Sequence, residues 1–166
     1  MIGKKIEKAI NKQINNELYS AYLYLAMSAE ATLKGFKGAG KWFDVQFQEE
    51  LGHAKKFYAY LLEQGAAVEL EAVGKPKVGF KGLFDMFEAT LKHEQFITKS
   101  INDLMDLAVA EKDYASQILL QWYVSEQVEE EANDNEILGQ LKMAGSSAGT
   151  MLMIDKQLGK REFKAS

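Results

Sequence analysis

Four stretches of this chain repeat apolar residues at alternating steps of three and four, and an acid interrupts each of them at mid-length. Steps of that kind place all the members of a stretch on one face of an α-helix. The first runs Ile10, Ile14, Glu17, Ala21, Tyr24; the second runs Phe43, Phe47, Glu50, Ala54, Phe57, Leu61, with His53 beside Glu50. The third runs Phe87, Leu91, Glu94, Thr98, Ile101. The fourth runs Leu119, Tyr123, Glu126, Glu130, Asn133, Ile137 and is polar through its middle, with Gln127, Glu129 and Glu131 alongside. Four helices that bury these faces against one another must bring four carboxylates to one level of the bundle.

Burial of an uncompensated carboxylate costs several kcal/mol, and like charges at close range force protonation or unfolding. No Lys or Arg stands in the stripes to offset them. Divalent cations are the natural counter-charge, since Glu17, Glu50, Glu94 and Glu130 together balance two ions of charge two. A lone inward Glu on a Glu- and Lys-rich helix is ordinarily a partly solvated surface residue. Acid at mid-length on four helices, with His at i+3 on one of them, is the pattern of a metal site. Phe47, Phe57 and Trp122 continue the apolar period and read as core fill, His93 as a solvent or interface residue, and Lys55 and Lys56 as a solvated face.

The 166 residues, 47% of them apolar, suffice for one domain with a substantial core. Pro76 is the sole proline, so long uninterrupted helices are expected and the chain reads as all-α. Without cysteine there are no disulfides, thiolate metal sites or thiol nucleophiles, so a metal would bind through oxygen and imidazole. The longest uncharged runs, such as Leu18 to Ala29, are too short to cross a bilayer, and Glu7 and Glu17 interrupt any signal-peptide pattern. A cytoplasmic protein without a membrane partner is therefore expected. A net charge of -4, with Arg161 as the only arginine, argues against a nucleic-acid partner.

The expected elements are a helix from Lys5 to Leu33, a turn over Lys34 to Lys41 carrying Gly35, Gly38 and Gly40, and a helix from Trp42 to Gln64 with Gly65 as its left-handed cap. Ala66 to Gly82 has no helical period and is longer than ordinary helix connections. Stretched to roughly 56 Å, it can travel the length of a ~42 Å helix, which makes the second and third helices parallel. Helices from Leu83 to Glu111 and from about Asp113 onward form a second antiparallel pair, and a short fifth helix spans Ser147 to Leu158. Its apolar side, Met151, Leu152, Ile154 and Leu158, suggests subunit contacts.

With Glu17, Glu50, His53, Glu94, Gln127 and Glu130 in this order, and with the segments Asn16–Tyr24, Phe47–Ala54, Leu91–Phe96 and Gln121–Glu131 around them, the chain resembles bacterial non-haem ferritins over essentially its whole length. The bundle with one crossover and Glu plus Glu-x-x-His ligands is the standard description of ferritin-like di-iron proteins. The resemblance implies a single ferritin-like domain over residues 1–166, a four-helix bundle with a short C-terminal fifth helix. It implies a ferroxidase centre with one iron at Glu17, Glu50 and His53, a second at Glu50, Glu94 and Glu130, and Gln127 near the oxygen-binding side. A third iron would use Glu49, Glu126, Glu129 and Glu130, and Tyr24 would stand beside the centre as hydrogen-bond or electron donor. Dioxygen or peroxide would oxidise Fe(II), and the ferric product would form a mineral inside a hollow homo-oligomeric cage of twenty-four subunits. An external donor would reduce the mineral for release. Gly52 stands where the related bacterioferritins carry a haem-ligating Met, so no haem is expected. The alternative is a discrete di-iron oxidase or peroxidase of the same superfamily that makes no mineral.

Overall fold

In a computed structural model that describes residues 2–163, the chain forms five α-helices: α1 (Lys4–Leu33), α2 (Lys37–Glu63), α3 (Leu83–Ala110), α4 (Tyr114–Ala144) and α5 (Ala148–Leu158). No strand occurs among the described residues. The bounds of α1, α3 and the start of α4 fall close to the expected ones, but α2 begins at Lys37 within the stretch read as a turn, and Gly38 belongs to its first helical turn. The glycine there answers a packing demand: a Cβ at Gly38 would stand 1.7 Å from the carbonyl oxygen of Asp155. Gly65, at φ +65°, supplies the expected left-handed residue after α2.

Side-chain bonds between helices fix their directions. Asn16 reaches Ser100, and Tyr24 reaches Glu94, so α1 runs antiparallel to α3. Tyr60 meets Ser116, and Gln46 meets Glu130, so α2 runs antiparallel to α4. The three-residue link 34–36 turns α1 back along α2, which leaves α2 and α3 parallel. Residues 64–82 make the crossover that this topology requires. The segment follows α1, held by Asn11 at one end through Ala67 O and Glu69 N, and by Glu30 at the other through Gly79 N and Phe80 N.

A remote residue completes the start of α2. Its own N-cap, Phe36, offers no side-chain acceptor, and Asp155 of α5 accepts instead from Gly38 N at 3.1 Å and Ala39 N at 2.8 Å. These amides belong to the orphan donors of a helix N-terminus, where a carboxylate is stabilised by both hydrogen bonds and the helix dipole. Of the expected apolar side of α5, Ile154 and Leu158 bury beside Asp155 within the chain, whereas Leu152 and the neighbouring Met153 stay exposed.

The apolar interior is divided. One cluster, containing Met27, Phe43, Phe87, Leu141 and Leu158, fills the end nearest α5. The other, containing Ile10, Phe57, Ile101 and Leu120, fills the opposite end. Between them lies a layer of buried polar groups that includes Glu17, Gln46, Glu50, His53, Glu94, Gln127, Glu130 and Asp134.

Candidate metal centre

Each of α1 to α4 lends this layer at least one acid. Glu17, Glu50, Glu94 and Glu130 are at most 3% exposed, as is His53. Glu17, Glu50 and His53 present one ligand atom each, all within 4.8 Å of one another. His53 Nδ1 lies 3.2 Å from Glu50 Oε2. Glu17 Oε2 and His53 Nε2 are buried without a hydrogen-bond partner, which is costly in a closed apolar bundle and suits atoms that await a ligand.

The remaining carboxylates are held by donors. Tyr24 donates its hydroxyl to Glu94 Oε1, and Gln127 Nε2 donates to Glu94 Oε2 at 3.0 Å. Gln46 Nε2 donates to Glu130 Oε2 at 2.9 Å, and Gln13 Nε2 donates to Glu17 Oε1 at 2.8 Å. Gln13 is itself oriented by Asn16 and Ser100, both of which donate to its carbonyl oxygen. Tyr123, stacked on Phe57 and edge-on to Trp122, donates to the backbone carbonyl of His53 at 2.7 Å. The ring of Trp122 stands edge-on to His53, so indole and phenol together wall the imidazole.

Burial dominates the electrostatics. It pushes Glu17 up to about 8, aided by the charge of Glu50, and pushes Glu130 up to about 8, aided by Glu94. Glu50 is raised well above the usual carboxylate range by burial and by Glu94, while burial raises Glu94 against the opposing bonds from Tyr24 and Gln127. Near neutral pH Glu17 and Glu130 therefore hold protons that an entering cation must displace. Oxygen and imidazole donors of this kind suit a first-row divalent ion such as iron.

The outer acids stand differently. Glu126 is half-buried, with Oε1 3.9 Å from His53 Nε2, and Glu129 is exposed. Glu49 is half-buried and paired with Arg161.

The stripe on α4 agrees with the one read from sequence at Tyr123, Glu130 and Ile137 and departs from it between them. Its buried residues are Ser116, Leu120, Tyr123, Gln127, Glu130, Asp134, Ile137, Leu141 and Ala144, so Gln127 and Asp134 face inward where Glu126 and Asn133 were expected. Polar residues surround that part of the helix, and its phase is fixed only by the apolar residues at its two ends. His93, read as a solvent or interface residue, is half-buried in the subunit between Tyr19 and Tyr24, with Nε2 2.7 Å from Ser20 Oγ. Lys56 is half-buried over the Trp122 ring, 3.4 Å from its centroid, and is not a fully solvated group.

Gln13, Gln46, Asp134 and Arg161 escaped the sequence reading. A signal existed for three of them. Gln13 and Gln46 precede Glu17 and Glu50 by four residues, and Asp134 follows Glu130 by four, so each shares a face with its acid. For Arg161, beyond α5, no local spacing points to the centre.

Two antiparallel helix hairpins, one long crossover and a buried carboxylate–imidazole layer at mid-length define the ferritin-like class. The ferritin-like domain family matches residues 7–144 of the chain. A bacterial non-heme ferritin of Campylobacter jejuni is 44% identical over 158 residues, covering 95% of each chain. A probable bacterial non-heme ferritin-like protein of Haemophilus influenzae is 39% identical over 165 residues, covering 99% of this chain and all of that one. An Archaeoglobus fulgidus ferritin, engineered to a closed form, superposes with a TM-score of 0.97 at 43% identity, covering 99% of this chain and 100% of that one. An open-pore ferritin from the same archaeon superposes equally well, at 42% identity. The chain belongs to the ferritin family and groups there with the bacterial non-haem ferritins.

Proposed function

We propose that the chain is the subunit of an iron-storage ferritin that oxidises Fe(II) at its mid-bundle carboxylates and passes the ferric product to a mineral inside a hollow homo-oligomer of twenty-four copies. The observation that carries this reading is the buried trio Glu17, Glu50 and His53, close enough to share an ion and left with an unpartnered oxygen and an unpartnered nitrogen. The names of the relatives support iron as the cargo.

Iron is substrate here. Glu17, Glu50 and His53 are read as binding one Fe(II), and Glu50, Glu94 and Glu130 as binding a second, with Glu50 common to both. Dioxygen or hydrogen peroxide accepts the electrons. The protein's own part is binding and proton handling: Glu17 and Glu130 release protons as Fe(II) enters, and Tyr24 and Gln127 hold the Glu94 carboxylate in place. Glu49, Glu126, Glu129 and Glu130 are read as an outer iron position on the way to the mineral. Release needs an external reductant, and the working compartment is the cytoplasm. The exposed Leu152 and Met153 on α5 fit burial between copies.

The test is iron retained per subunit after aerobic Fe(II) loading and passage through a sizing column. Iron in large excess over the ligand set, eluting with a large assembly, supports storage. A plateau at about two per subunit, the capacity of a paired metal site, favours the discrete di-iron oxidase or peroxidase. No retained iron sinks both. Glu50→Ala and His53→Ala are expected to slow Fe(II) oxidation while the assembly persists; unchanged oxidation in either variant rejects the residue assignment.

A further inference from the structure

The only arginine of the chain reaches the centre from outside the bundle. Arg161 lies just past α5, whose end is anchored by buried Leu158 and by the bond between Asp155 and the start of α2. Arg161 N also bonds Leu158 O at 3.2 Å, so its backbone is held by that anchored end. Its guanidinium lies 4.4 Å from the centroid of the Trp42 ring, donates from Nη1 to Gln46 Oε1 at 2.6 Å, and pairs through Nη2 with Glu49 Oε2.

Gln46 is fully buried and uses both ends of its amide: the oxygen accepts from Arg161, and the nitrogen donates to Glu130. A flipped amide would set its NH2 group against the guanidinium. Arg161 therefore also decides that Gln46 offers a donor to Glu130. One positive charge thus grips Glu49 directly and Glu130 through a single intervening side chain. Its influence extends to Asp134, opposing there, as at Glu49 and Glu130, the upward push of burial.

We infer that Arg161 is a resident counter-cation for Glu49, reaching Glu130 through Gln46, and that it competes with the metal ion these two acids would share, so that docking of Arg161 and filling of that outer position oppose each other. The inference rests on the reading of Glu49 and Glu130 as iron ligands. A divalent ion between them meets the guanidinium as a like charge in a half-buried setting, where screening is weak. A second resting place adjoins the first: Arg161, Trp42, Glu136 and Gln140 line one groove, and the exposed carboxylate of Glu136 can receive the displaced side chain. Binding linkage is reciprocal, so what weakens the docked arginine strengthens cation binding by the same factor. Of the inner positions, the one at Glu17, Glu50 and His53 is untouched by Arg161, whereas the one at Glu50, Glu94 and Glu130 shares Glu130 with the outer position.

The test uses the assembled, metal-free protein and Zn(II), which binds such donors without redox chemistry. Calorimetric titration is expected to resolve tight positions and a weaker outer one. Arg161→Ala is expected to tighten the outer position by about fivefold or more, the ordinary scale of coupled sites. Arg161→Lys keeps the charge and should stay near the parent protein. In a Trp122→Phe background, which leaves Trp42 as the sole indole, emission should shift as the outer position fills, and Arg161→Ala should abolish that shift. Outer binding that is unchanged or weaker in Arg161→Ala overturns the inference, because a purely orienting arginine would give that result. Two tight ions with no weaker position in either protein also overturns it while leaving the paired centre standing. No Zn(II) bound by the parent protein would reject the reading of these acids as ligands. Elution of each variant on a sizing column identifies one that fails to assemble, and Arg161→Gln then takes the place of Arg161→Ala with the same expected outcome.

Discussion

Tyr24 on α1 and Glu94 on α3 are joined by a hydrogen bond from phenol to carboxylate, inside the bundle and in the layer that separates its two apolar clusters. The phenol cannot yield its proton readily, since burial and the charge of Glu94 raise Tyr24 well above its ordinary value. It therefore acts as a fixed donor that favours the charged form of Glu94.

Tyr24→Phe removes that donor and keeps the ring that stacks on Phe43. A hydrogen bond to a charged group is worth about 1.5–3 kcal/mol, so cation affinity at Glu94 is expected to fall roughly tenfold or more. Anaerobic Fe(II) titration should show the loss, and stopped-flow oxidation should slow. Parent-like binding would mean that Gln127 alone suffices to hold Glu94.

The raised acids make stability depend on pH in a definite direction. Glu17 and Glu130 at about 8 and Asp134 at about 9 bind protons more tightly folded than unfolded. Their penalty is absent below the unfolded values and grows as pH climbs through the folded ones. The melting temperature of the metal-free protein should therefore fall between about pH 5 and about pH 9, and added Zn(II) should restore most of the loss. A flat profile would show that these carboxylates are better solvated than the closed bundle implies.

Asp155→Ala strips α2 of the acceptor at its N-terminus. Loss of such a cap costs about 1–2 kcal/mol, and here it also frees α5. Urea unfolding should report the cost, and faster proteolysis between Ala144 and Leu158 should report the freed helix. Unchanged proteolysis would place the hold on α5 with Ile154 and Leu158 instead.

Asp134→Leu should stabilise the metal-free protein. Asp134 is 1% exposed, and both of its carboxylate oxygens lack a partner. A buried polar group without a hydrogen-bond partner costs about 1–3 kcal/mol, which an apolar side chain recovers. The denaturation midpoint should rise with Zn(II) stoichiometry unchanged; a lost ion would make Asp134 a ligand.

Helices α1, α2 and α3 were legible because apolar residues flank each acid closely enough to set the phase, as Ile14 and Ala21 do around Glu17. On α4 the acid-rich stretch from Glu126 to Asp134 carries no phase of its own, so Glu126 took the place of Gln127. The crossover could be inferred from its length, but its hold on Asn11 and Glu30 is made by contacts across the fold. The same is true of Arg161 and Asp155. Each acts more than a hundred residues from its partner, and nothing in local spacing can report it.

The polar layer also works as a partition. Because Phe57, Ile101 and Leu120 gather on one side of it and Phe43, Phe87 and Leu141 on the other, each end of the bundle has an apolar nucleus of its own. An ion bound at mid-length would therefore act as a rivet between two ends that are each already packed. Loss of such an ion would leave the apolar contacts of both ends in place.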